Sequence, residues 1–259
     1  MKQVLLINLG NTNTQIGVAQ LDNSEFVKVV ETLPTVSLFN QLERLWELLD
    51  SNYEIVVIAC VVPELERRLM HEREFTNVFW VSSEMNLNID FSNIDKRTLG
   101  ADRIANAVAA CELIELPAVI LDCGTAITAE VIDKGNRFVG GMIMPGRQMS
   151  RNALANKTGQ LPQSKGGITI PNQFGKNTLE AIDVGVDLGS VGAIEKVLSL
   201  CSDLTTNKKL KVIAIGGDRQ FFIKHITEVE PGHDNFTLIG LKFIANHLQR
   251  MKNKNIANT

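Results

Sequence analysis

The sequence has little cysteine, no long apolar run and no large excess of charge of one sign. Its four cysteines lie far apart and form no Cys-x-x-Cys pair, which excludes the usual zinc and dithiol motifs and predicts reduced thiols, as in the cytoplasm. No apolar segment approaches the roughly 20 residues of a membrane-spanning helix, and the first residues lack the apolar region and cleavage site of a signal peptide. The 26 basic and 29 acidic residues nearly balance, so neither nucleic acid nor an anionic membrane surface is expected as a partner. We therefore expect a cytoplasmic protein.

What the sequence does contain is typical of a globular α/β protein. Of its 259 residues, 44% are apolar and 21% are charged, which suits one large domain or two small ones. Short apolar runs alternate with segments of helical apolar spacing, the pattern of mixed α/β folds. We predict strands at residues 4–8, 15–20, 25–32, 55–59, 78–81, 118–122, 129–132, 138–144 and 210–215. We predict helices at residues 39–49, 99–113, 148–157, 178–200 and 238–251, with a further helix beginning at Pro63.

A strand, a glycine turn and a returning strand occur twice in the chain. Aligning Asn8 with Asp122 also aligns Gly10 with Gly124, and the apolar runs before these turns coincide. Strand–turn–strand units look alike, so a chance match is one interpretation. The other is a duplicated fold whose two halves face each other across a cleft and each contribute a polar turn. The predicted halves are residues 1–115 and 116–259.

Both turns contain residues that can hold phosphate oxygens. They read Gly10-Asn-Thr-Asn-Thr14 and Gly124-Thr-Ala-Ile-Thr128, and the alignment also matches the two final threonines. Glycine lets the backbone approach a bulky anion, while threonine hydroxyls and backbone N–H groups can bond to phosphate oxygens. The alternative is a pair of structural hairpin turns in which Asn and Thr satisfy only local backbone groups. The residues alone leave both interpretations open.

Two aspartates are candidate functional groups. Asp102 stands in Gly100-Ala-Asp-Arg103 at a predicted helix start, where a carboxylate can accept a hydroxyl proton while the arginine holds an anionic substrate. The spacing alone favours a plainer role, a first-turn acid that interacts with the helix dipole. Asp122 ends a strongly apolar strand. A buried carboxylate there needs a partner, which can be a cation, a bound ligand or the hydrogen bonds of a turn.

Seven segments, taken in order, are similar to the motifs of one known family. They are Gly10–Thr14, Val61–Pro63, Gly100–Arg103, Asp122–Thr128, Gly140–Gly146, Gly175–Gly185 and Gly216–Asp218. Each segment alone is a weak signal. The ordered set, which covers the chain from residue 5 to about residue 250, resembles the type III pantothenate kinases, also called the Bvg accessory factor family.

This resemblance implies a fold and an activity. The fold is a duplicated ribonuclease H-like α/β fold of the acetate and sugar kinase/heat-shock protein/actin type, with two similar domains around a cleft. The activity is phosphorylation of pantothenate to 4′-phosphopantothenate by ATP with Mg²⁺, the first step of coenzyme A biosynthesis, in a homodimer that uses a monovalent cation, K⁺ or NH₄⁺. Phosphoryl transfer needs positioning and charge neutralisation more than covalent chemistry, so glycine turns, cations and one oriented base are sufficient for it.

The resemblance also implies a role for each matching residue. Asp102 would be the catalytic base on the pantothenate hydroxyl, and Asp122 would hold the monovalent metal ion or ammonium. The residues implied to bind pantothenate are Gly100, Ala101, Asp102, Arg103 and Thr178. The residues implied to bind ATP are Asn8, Leu9, Gly10, Asn11, Thr12, Asn13, Thr14, Gln15 and Thr125.

Two positions depart from the family's pattern. Asn8 stands where the family has an aspartate at the end of the first strand, and an amide keeps a carbonyl oxygen but lacks the charge that helps to hold hydrated Mg²⁺. The segment Phe91-Ser-Asn-Ile-Asp95 has neither the tyrosine nor the proline that the family carries before its Gly-Ala-Asp-Arg motif. Two hypotheses therefore stand beside an active pantothenate kinase. One is a catalytically weakened accessory protein that binds nucleotide or pantothenate, and the other is a kinase of a different small hydroxy acid.

Overall fold

Two five-stranded sheets organise the chain in the computed structural model, which describes residues 3–22, 24–50, 52–72, 75–170, 173–205 and 209–257. Residue contacts divide the chain into two units. Unit 1 comprises Met1–Ile114, Asn136–Phe138 and Asn235–Thr259, and unit 2 comprises Glu115–Gly135 and Val139–Asp234. The described residues 235–257 thus group with the first unit although they follow the second along the chain, and the predicted halves, residues 1–115 and 116–259, stay a prediction. Among the described residues, no helix combines the length and the apolar character needed to cross a membrane.

The strands and helices follow one another in two cycles. The strands are β1 (Gln3–Leu9), β2 (Asn13–Gln20), β3 (Lys28–Pro34), β4 (Ile55–Cys60), β5 (Val78–Trp80), β6 (Ala118–Cys123), β7 (Ala126–Ile132), β8 (Phe138–Pro145), β9 (Lys211–Ile215) and β10 (Val229–Pro231). The helices are α1 (Thr35–Leu38), α2 (Leu42–Leu49), α3 (Pro63–Glu72), α4 (Ala101–Leu113), α5 (Arg147–Lys157), α6 (Thr178–Leu200), α7 (Arg219–His225) and α8 (Phe236–Ala257).

The sheet of unit 1 has the order β3-β2-β1-β4-β5. Its central strand β1 is antiparallel to β2 and parallel to β4. Helices cover both faces of this sheet, so the inner strands are apolar along their length rather than alternating. Residues 4–7 of β1 and all six residues of β4 are buried accordingly. The apolar runs that predicted these strands therefore mark the middle of the sheet.

The terminal helix α8 lies against α4 in unit 1. Gly240 faces the backbone of Ala105, whose carbonyl carbon would lie 2.6 Å from an added Cβ, so only glycine permits this helix crossing. The Thr237 hydroxyl donates to the Asn106 side-chain oxygen at 2.8 Å in the same buried contact. These contacts explain why α8 belongs to unit 1.

Unit 2 repeats the sheet of unit 1. Its strand order is β10-β9-β6-β7-β8, and its central strand β6 is antiparallel to β7 and parallel to β9. Val119 and Leu121 of β6 pack in a core with Phe221 and Phe222 of α7. The strand order matches that of unit 1, and the central strand is antiparallel to one neighbour and parallel to the other in both sheets, which confirms the predicted duplicated α/β fold.

The two hairpins differ in length by one residue. Asn8 lies opposite Gln15 in the first hairpin, whereas Asp122 lies opposite Thr128 in the second. The alignment of Thr14 with Thr128 is therefore wrong beyond the turn. The strands before the turns match, and the returning strands are offset by one position.

The structure also revises some element boundaries. The segment predicted as a single helix at 39–49 contains α2, and a separate short helix, α1, precedes it. Strand β7 begins at Ala126 rather than at residue 129. Helix α7 and strand β10 were missed by the sequence analysis because seven and three residues are too few to show a clear apolar period.

Candidate active site

The turn between β1 and β2 is held closed by backbone hydrogen bonds and by Thr35. The Gly10 N–H donates to the Asn13 carbonyl at 3.2 Å, and an added Cβ at Gly10 would lie 2.8 Å from that oxygen. Thr35 donates its hydroxyl to the Gly10 carbonyl at 2.6 Å and its N–H to the Thr12 carbonyl at 2.9 Å. The first residue of α1 thus fixes the shape of the turn.

The tip of this turn is exposed and its base is buried. Residues 11–13 are exposed, whereas Leu9 and Thr14 are buried. The Thr14 hydroxyl lies 3.0 Å from the Thr35 hydroxyl, so this side chain braces the turn from inside. Gln15 is partly buried on β2. The groups that face solvent, and that a ligand can reach, are those of the tip.

Asn8 places an unused acceptor at the end of β1. Its Oδ1 atom is buried and accepts no hydrogen bond from any residue that the structure describes. A buried polar atom without a partner is costly, so the position suits a ligand, a water molecule or a cation that would satisfy this oxygen.

The start of α4 lies at the same edge of the sheet as this turn. The Val61 N–H, just after β4, donates to the Leu9 carbonyl at the end of β1 at 3.1 Å. An added Cβ at Gly100 would lie 3.5 Å from Cγ1 of Val61 and 2.8 Å from Oδ1 of Asp102. Val61 therefore links the turn to the Gly100–Arg103 segment, and the structure brings together these two predicted parts of the site.

Asp102 lies in the first turn of α4, and its surroundings shift the pKa of its carboxyl group. Its Oδ1 accepts the Arg103 N–H at 2.8 Å. Burial raises the pKa of Asp102 above its ordinary value, and the bond and charge of Arg103 only partly offset that effect. A carboxylate with a raised pKa is a stronger base than an exposed one, as general base catalysis requires.

Arg103 is flanked by an aromatic pair. Its guanidinium carbon lies 5.8 Å from the centre of the Phe138 ring, a cation–π distance. Phe138 packs in turn against Phe91, with ring centres 5.8 Å apart. Phe91 is almost fully buried, so the segment in which the family carries a tyrosine contributes here to packing around Arg103.

In unit 2, the turn between β6 and β7 is contacted by the segment before α5. Gly124 donates its N–H to the Ala126 carbonyl at 3.0 Å, and the Gly146 N–H donates to the Thr125 carbonyl at 2.9 Å. An added Cβ at Gly146 would overlap the carbonyl oxygen of Gly124. Gly124 and Thr125 are exposed, so this turn also offers its tip to a ligand.

Asp122 stands beside a second glycine turn at the end of β9. Gly216 has a φ of 85°, a left-handed conformation that favours glycine, and an added Cβ there would lie 2.6 Å from Oδ1 of Asp122. The Asp218 N–H donates to the Cys123 carbonyl at 2.9 Å. The predicted cation-site residue Asp122 and the predicted nucleotide residue Thr125 thus lie at one edge of the sheet. Within the described ranges, no group of three or more His, Cys, Asp or Glu side chains is placed to hold a metal ion.

Comparison with known proteins identifies the family. A family model described as type III pantothenate kinase matches residues 4–199 of this chain. The chain belongs to the type III pantothenate kinase family. A member of this family is a kinase that transfers a phosphoryl group to an alcohol, so the predicted enzyme class is confirmed, and with it the use of ATP with a divalent metal ion.

Individual relatives and solved structures agree with this assignment. The type III pantothenate kinase of Sulfurihydrogenibium sp. is 31% identical over 83% of this chain and 88% of its own length. That of Methylacidiphilum infernorum is 30% identical over 98% of this chain and 92% of its own length. Among solved structures, a Baf family protein from Campylobacter jejuni superposes with a TM-score of 0.57 at 20% identity, covering 96% of this chain and 99% of the other. MreB 5 of Spiroplasma citri bound to AMPPNP reaches 0.53 at 14% identity, covering 100% and 99%. These two structures support the duplicated fold of the actin and sugar kinase type, and nothing beyond the fold.

Thr178 is exposed at the start of α6. It is the one residue implied to bind pantothenate that lies outside the Gly100–Arg103 segment. The preceding Asn177 caps the helix, because its side chain accepts the Glu180 N–H at 3.0 Å. The Glu180 carboxylate accepts the N–H of Lys176, the residue before the cap, at 2.8 Å, so the two side chains satisfy backbone donors on both sides of the helix start. This cap fixes where α6 begins and leaves the Thr178 side chain open to solvent.

A group of buried charged residues beside the second turn was not predicted from the sequence. Arg147 and Arg151 of α5 form ion pairs with Asp183 and Asp187 of α6. The signal was present in the sequence, since both pairs have a spacing of four residues, which places each pair on one face of a helix. The two helices were predicted, but their contact was not.

Proposed function

We propose that this chain phosphorylates pantothenate with ATP, giving 4′-phosphopantothenate and ADP, the first step of coenzyme A biosynthesis. The observation that carries the proposal is the placement of Asp102, a buried carboxylate at a helix start, at the same sheet edge as the turn whose tip, residues 11–13, is exposed. Family membership and the ordered sequence motifs support the same activity. We further propose that the enzyme acts as a homodimer in the cytoplasm, and the free state of all four cysteines supports a reducing compartment.

In the proposed reaction, Asp102 accepts the proton of the pantothenate hydroxyl. The hydroxyl oxygen forms a bond to the γ-phosphorus, the bond from that phosphorus to the β,γ-bridging oxygen breaks, and ADP leaves. Arg103 neutralises negative charge on the substrate, and Gly100 and Ala101 leave room at the start of α4. Thr178 at the start of α6 is a further proposed contact of pantothenate. The turn from Asn8 to Gln15 bonds the phosphates through its exposed N–H and side-chain groups, and Thr125 contacts the nucleotide.

Two cation sites belong to this proposal. The unpartnered Oδ1 of Asn8 is an oxygen donor of the kind that hydrated Mg²⁺ accepts, and Mg²⁺ supplies charge neutralisation on the ATP phosphates. The Asp122 carboxylate, which stands beside two glycine turns, is proposed to hold K⁺ or NH₄⁺. Mg²⁺, K⁺ and NH₄⁺ all bind to oxygen atoms, so the amide oxygen of Asn8 and the carboxylate of Asp122 fit the ions assigned to them.

The test is turnover of pantothenate with ATP, Mg²⁺ and ammonium by the wild type and by Asp102→Asn. We expect the variant to lose about 10² to 10⁴-fold in kcat, the usual contribution of a general base. Glu64→Gln is the matched control, because Glu64 is also a first-turn acid of unit 1 but is exposed on α3, and its kcat should equal that of the wild type. Equal rates for wild type and Asp102→Asn, or no turnover by the wild type, would refute the proposal.

A catalytically weakened accessory protein is the second candidate, and Asn8 is the observation that favours it. The variant Asn8→Asp restores a charge at the unpartnered Oδ1 position. A large gain in kcat with unchanged nucleotide affinity would support weakening by Asn8. An unchanged kcat would show that the amide is sufficient. A panel of small hydroxy acids in the same assay distinguishes pantothenate from another acceptor.

A further inference from the structure

Arg147 makes contacts in three directions from the start of α5. Its Nε donates to Oδ1 of Asp187 on α6 at 2.9 Å. Its Nη1 donates to both carboxylate oxygens of Asp218, at 2.8 and 3.0 Å. The face of its guanidinium lies over the Phe221 ring, with 3.4 Å between Cζ and the ring centre. The arginine side chain is only 6% exposed, so its planar group is fixed by partners on its edge and on its face.

The segment that Arg147 holds is the glycine turn beside Asp122. Asp218 ends the turn of residues 216–218, and Phe221 lies one helical turn further on in α7. The same turn contacts the β6 end through the bond from the Asp218 N–H to the Cys123 carbonyl. Arg147 also follows Gly146, which bonds to the Thr125 carbonyl. Arg147 therefore stands between the two turns at this edge of the sheet and contacts one of them directly.

Charge provides a second reason for this arrangement. Asp122 and Asp218 both lie near the end of β6, since an added Cβ at Gly216 would lie 2.6 Å from Oδ1 of Asp122 and the Asp218 N–H donates to the Cys123 carbonyl at 2.9 Å. A nucleotide bound beside them would bring several more negative charges. Because Asp218 is only partly buried, with 36% of its side chain exposed, its pairing with Arg147 keeps that charge from opposing a phosphate group.

Arg151 provides an internal comparison one helical turn away. It is equally buried, and it donates to Asp187 at 2.6 Å and to Asp183 at 2.7 Å. Burial works against its charge, but the hydrogen bonds and the negative charges of these two aspartates outweigh that effect and raise the pKa of Arg151 above its ordinary value. Its ion pairs in the described structure join α5 to α6 and do not include Asp218. The two arginines share Asp187 and differ in their contact with the glycine turn.

We propose that Arg147 is a positioning residue for nucleotide binding, which holds the turn of residues 216–218 against the turn of residues 122–125 and neutralises Asp218. This inference rests on the proposed ATP-dependent function and deepens it. Lysine cannot replace arginine here, because an ammonium lacks the planar fork that bonds two carboxylates and stacks on a ring at the same time.

The experiment compares Arg147→Gln with Arg151→Gln. Each substitution removes one buried arginine and leaves Asp187 with one arginine partner, so both variants should lose a similar amount of thermal stability. We expect Arg147→Gln to raise the Kd for ADP with Mg²⁺ and the KM for ATP by about 10-fold, equivalent to about 1.4 kcal/mol. The KM for pantothenate should stay within about twofold of the wild-type value, as should all constants of Arg151→Gln.

The stability measurement separates positioning from a general structural role. If Arg147→Gln fails to fold, Arg147→Lys is the second variant, and it should shift the nucleotide constants in the same direction. Unchanged nucleotide constants in the Arg147 variants, or equal increases in both arginine variants, would overturn the inference. The Kd for ADP does not depend on turnover. A wild type that binds ADP but does not phosphorylate pantothenate would therefore count against the proposed function and leave the comparison of the two arginines intact.

Discussion

The crossing of α4 and α8 gives the strongest single test of the fold. In Gly240→Ala, the new methyl carbon would lie 2.6 Å from the carbonyl carbon of Ala105, and the carbonyl oxygen is closer still. Carbon atoms in contact prefer about 3.5 to 4.0 Å, so the helices must separate by about 1 Å. The obstacle is backbone, which no change of rotamer can remove.

The expected decrease in the free energy of unfolding of Gly240→Ala is the balance of two opposing effects. Overpacking of a well-packed contact costs about 1 to 3 kcal/mol, and a clash with backbone belongs at the upper end of that range. Alanine in place of glycine favours the helix by about 1 kcal/mol. The net loss is therefore about 2 kcal/mol, which corresponds to a decrease of about 4 to 8 °C in Tm for a chain of this size.

The same substitution should also reduce activity. Ala105 lies three residues after Asp102 on α4, so a movement of α4 displaces the proposed base. A displacement of about 1 Å can cost about 100-fold in rate. Thermal unfolding followed by circular dichroism and a kcat measurement below the transition test both effects.

Gly192→Ala is the control for Gly240→Ala. Gly192 is an exposed residue of α6, and an added Cβ there meets nothing within 4 Å, so this variant should be at least as stable as the wild type. A Tm of Gly240→Ala at or above the wild-type value, or a loss of stability no greater than that of Gly192→Ala, would show that the α4–α8 crossing tolerates a Cβ at this position.

Two further predictions concern charged groups of unit 1. Asp102→Asn should raise the Tm at neutral pH, because burial raises the pKa of Asp102. The native state therefore binds the proton of the Asp102 carboxyl group more tightly than the unfolded state does. The Tm of the wild type should approach that of the variant as the pH falls through the raised pKa. A lower Tm for Asp102→Asn at neutral pH would contradict this reasoning. Lys242→Met should lower the Tm at neutral pH, since Lys242 is fully buried and its Nζ donates to Oδ1 of Asp22 at 2.7 Å. That bond, together with hydrogen bonds from Ser24, lowers the pKa of Asp22 from 3.8 to about 2. The stabilisation is therefore present above pH 3.8, and the Tm difference should narrow as the pH falls toward 2. A difference that is independent of pH across this range would refute the role of Asp22.

The candidate site was predictable from sequence where its signals are local. The turn of residues 10–14 and the Gly100–Arg103 segment each follow a predicted strand or open a predicted helix. Glycine is required at Gly10 by a contact with Asn13, only three residues away in the same turn. Such signals can be interpreted without the tertiary structure, because turn geometry and helix starts depend on neighbouring residues.

What the sequence could not predict depends on residues distant in the chain. The raised pKa of Asp102 follows from burial, and burial depends on what packs around α4. The role of Arg147 depends on Asp187 and Asp218, which are 40 and 71 residues away. Nothing in a local pattern indicates which of many arginines will meet which aspartates.

The sequence by itself determined the two cycles of strand, glycine turn and returning strand, the central apolar strands, and the motifs that identify the family. Periodicity, turn chemistry and motif order are properties of short segments, and the chain carries them whether or not it is folded. Only the tertiary structure decided that α8 packs with unit 1, that the second hairpin is one residue shorter, and that two arginines join α5 to α6. These features depend on close packing, where one missing Cβ at Gly240 or one residue in a turn selects the partner that fits.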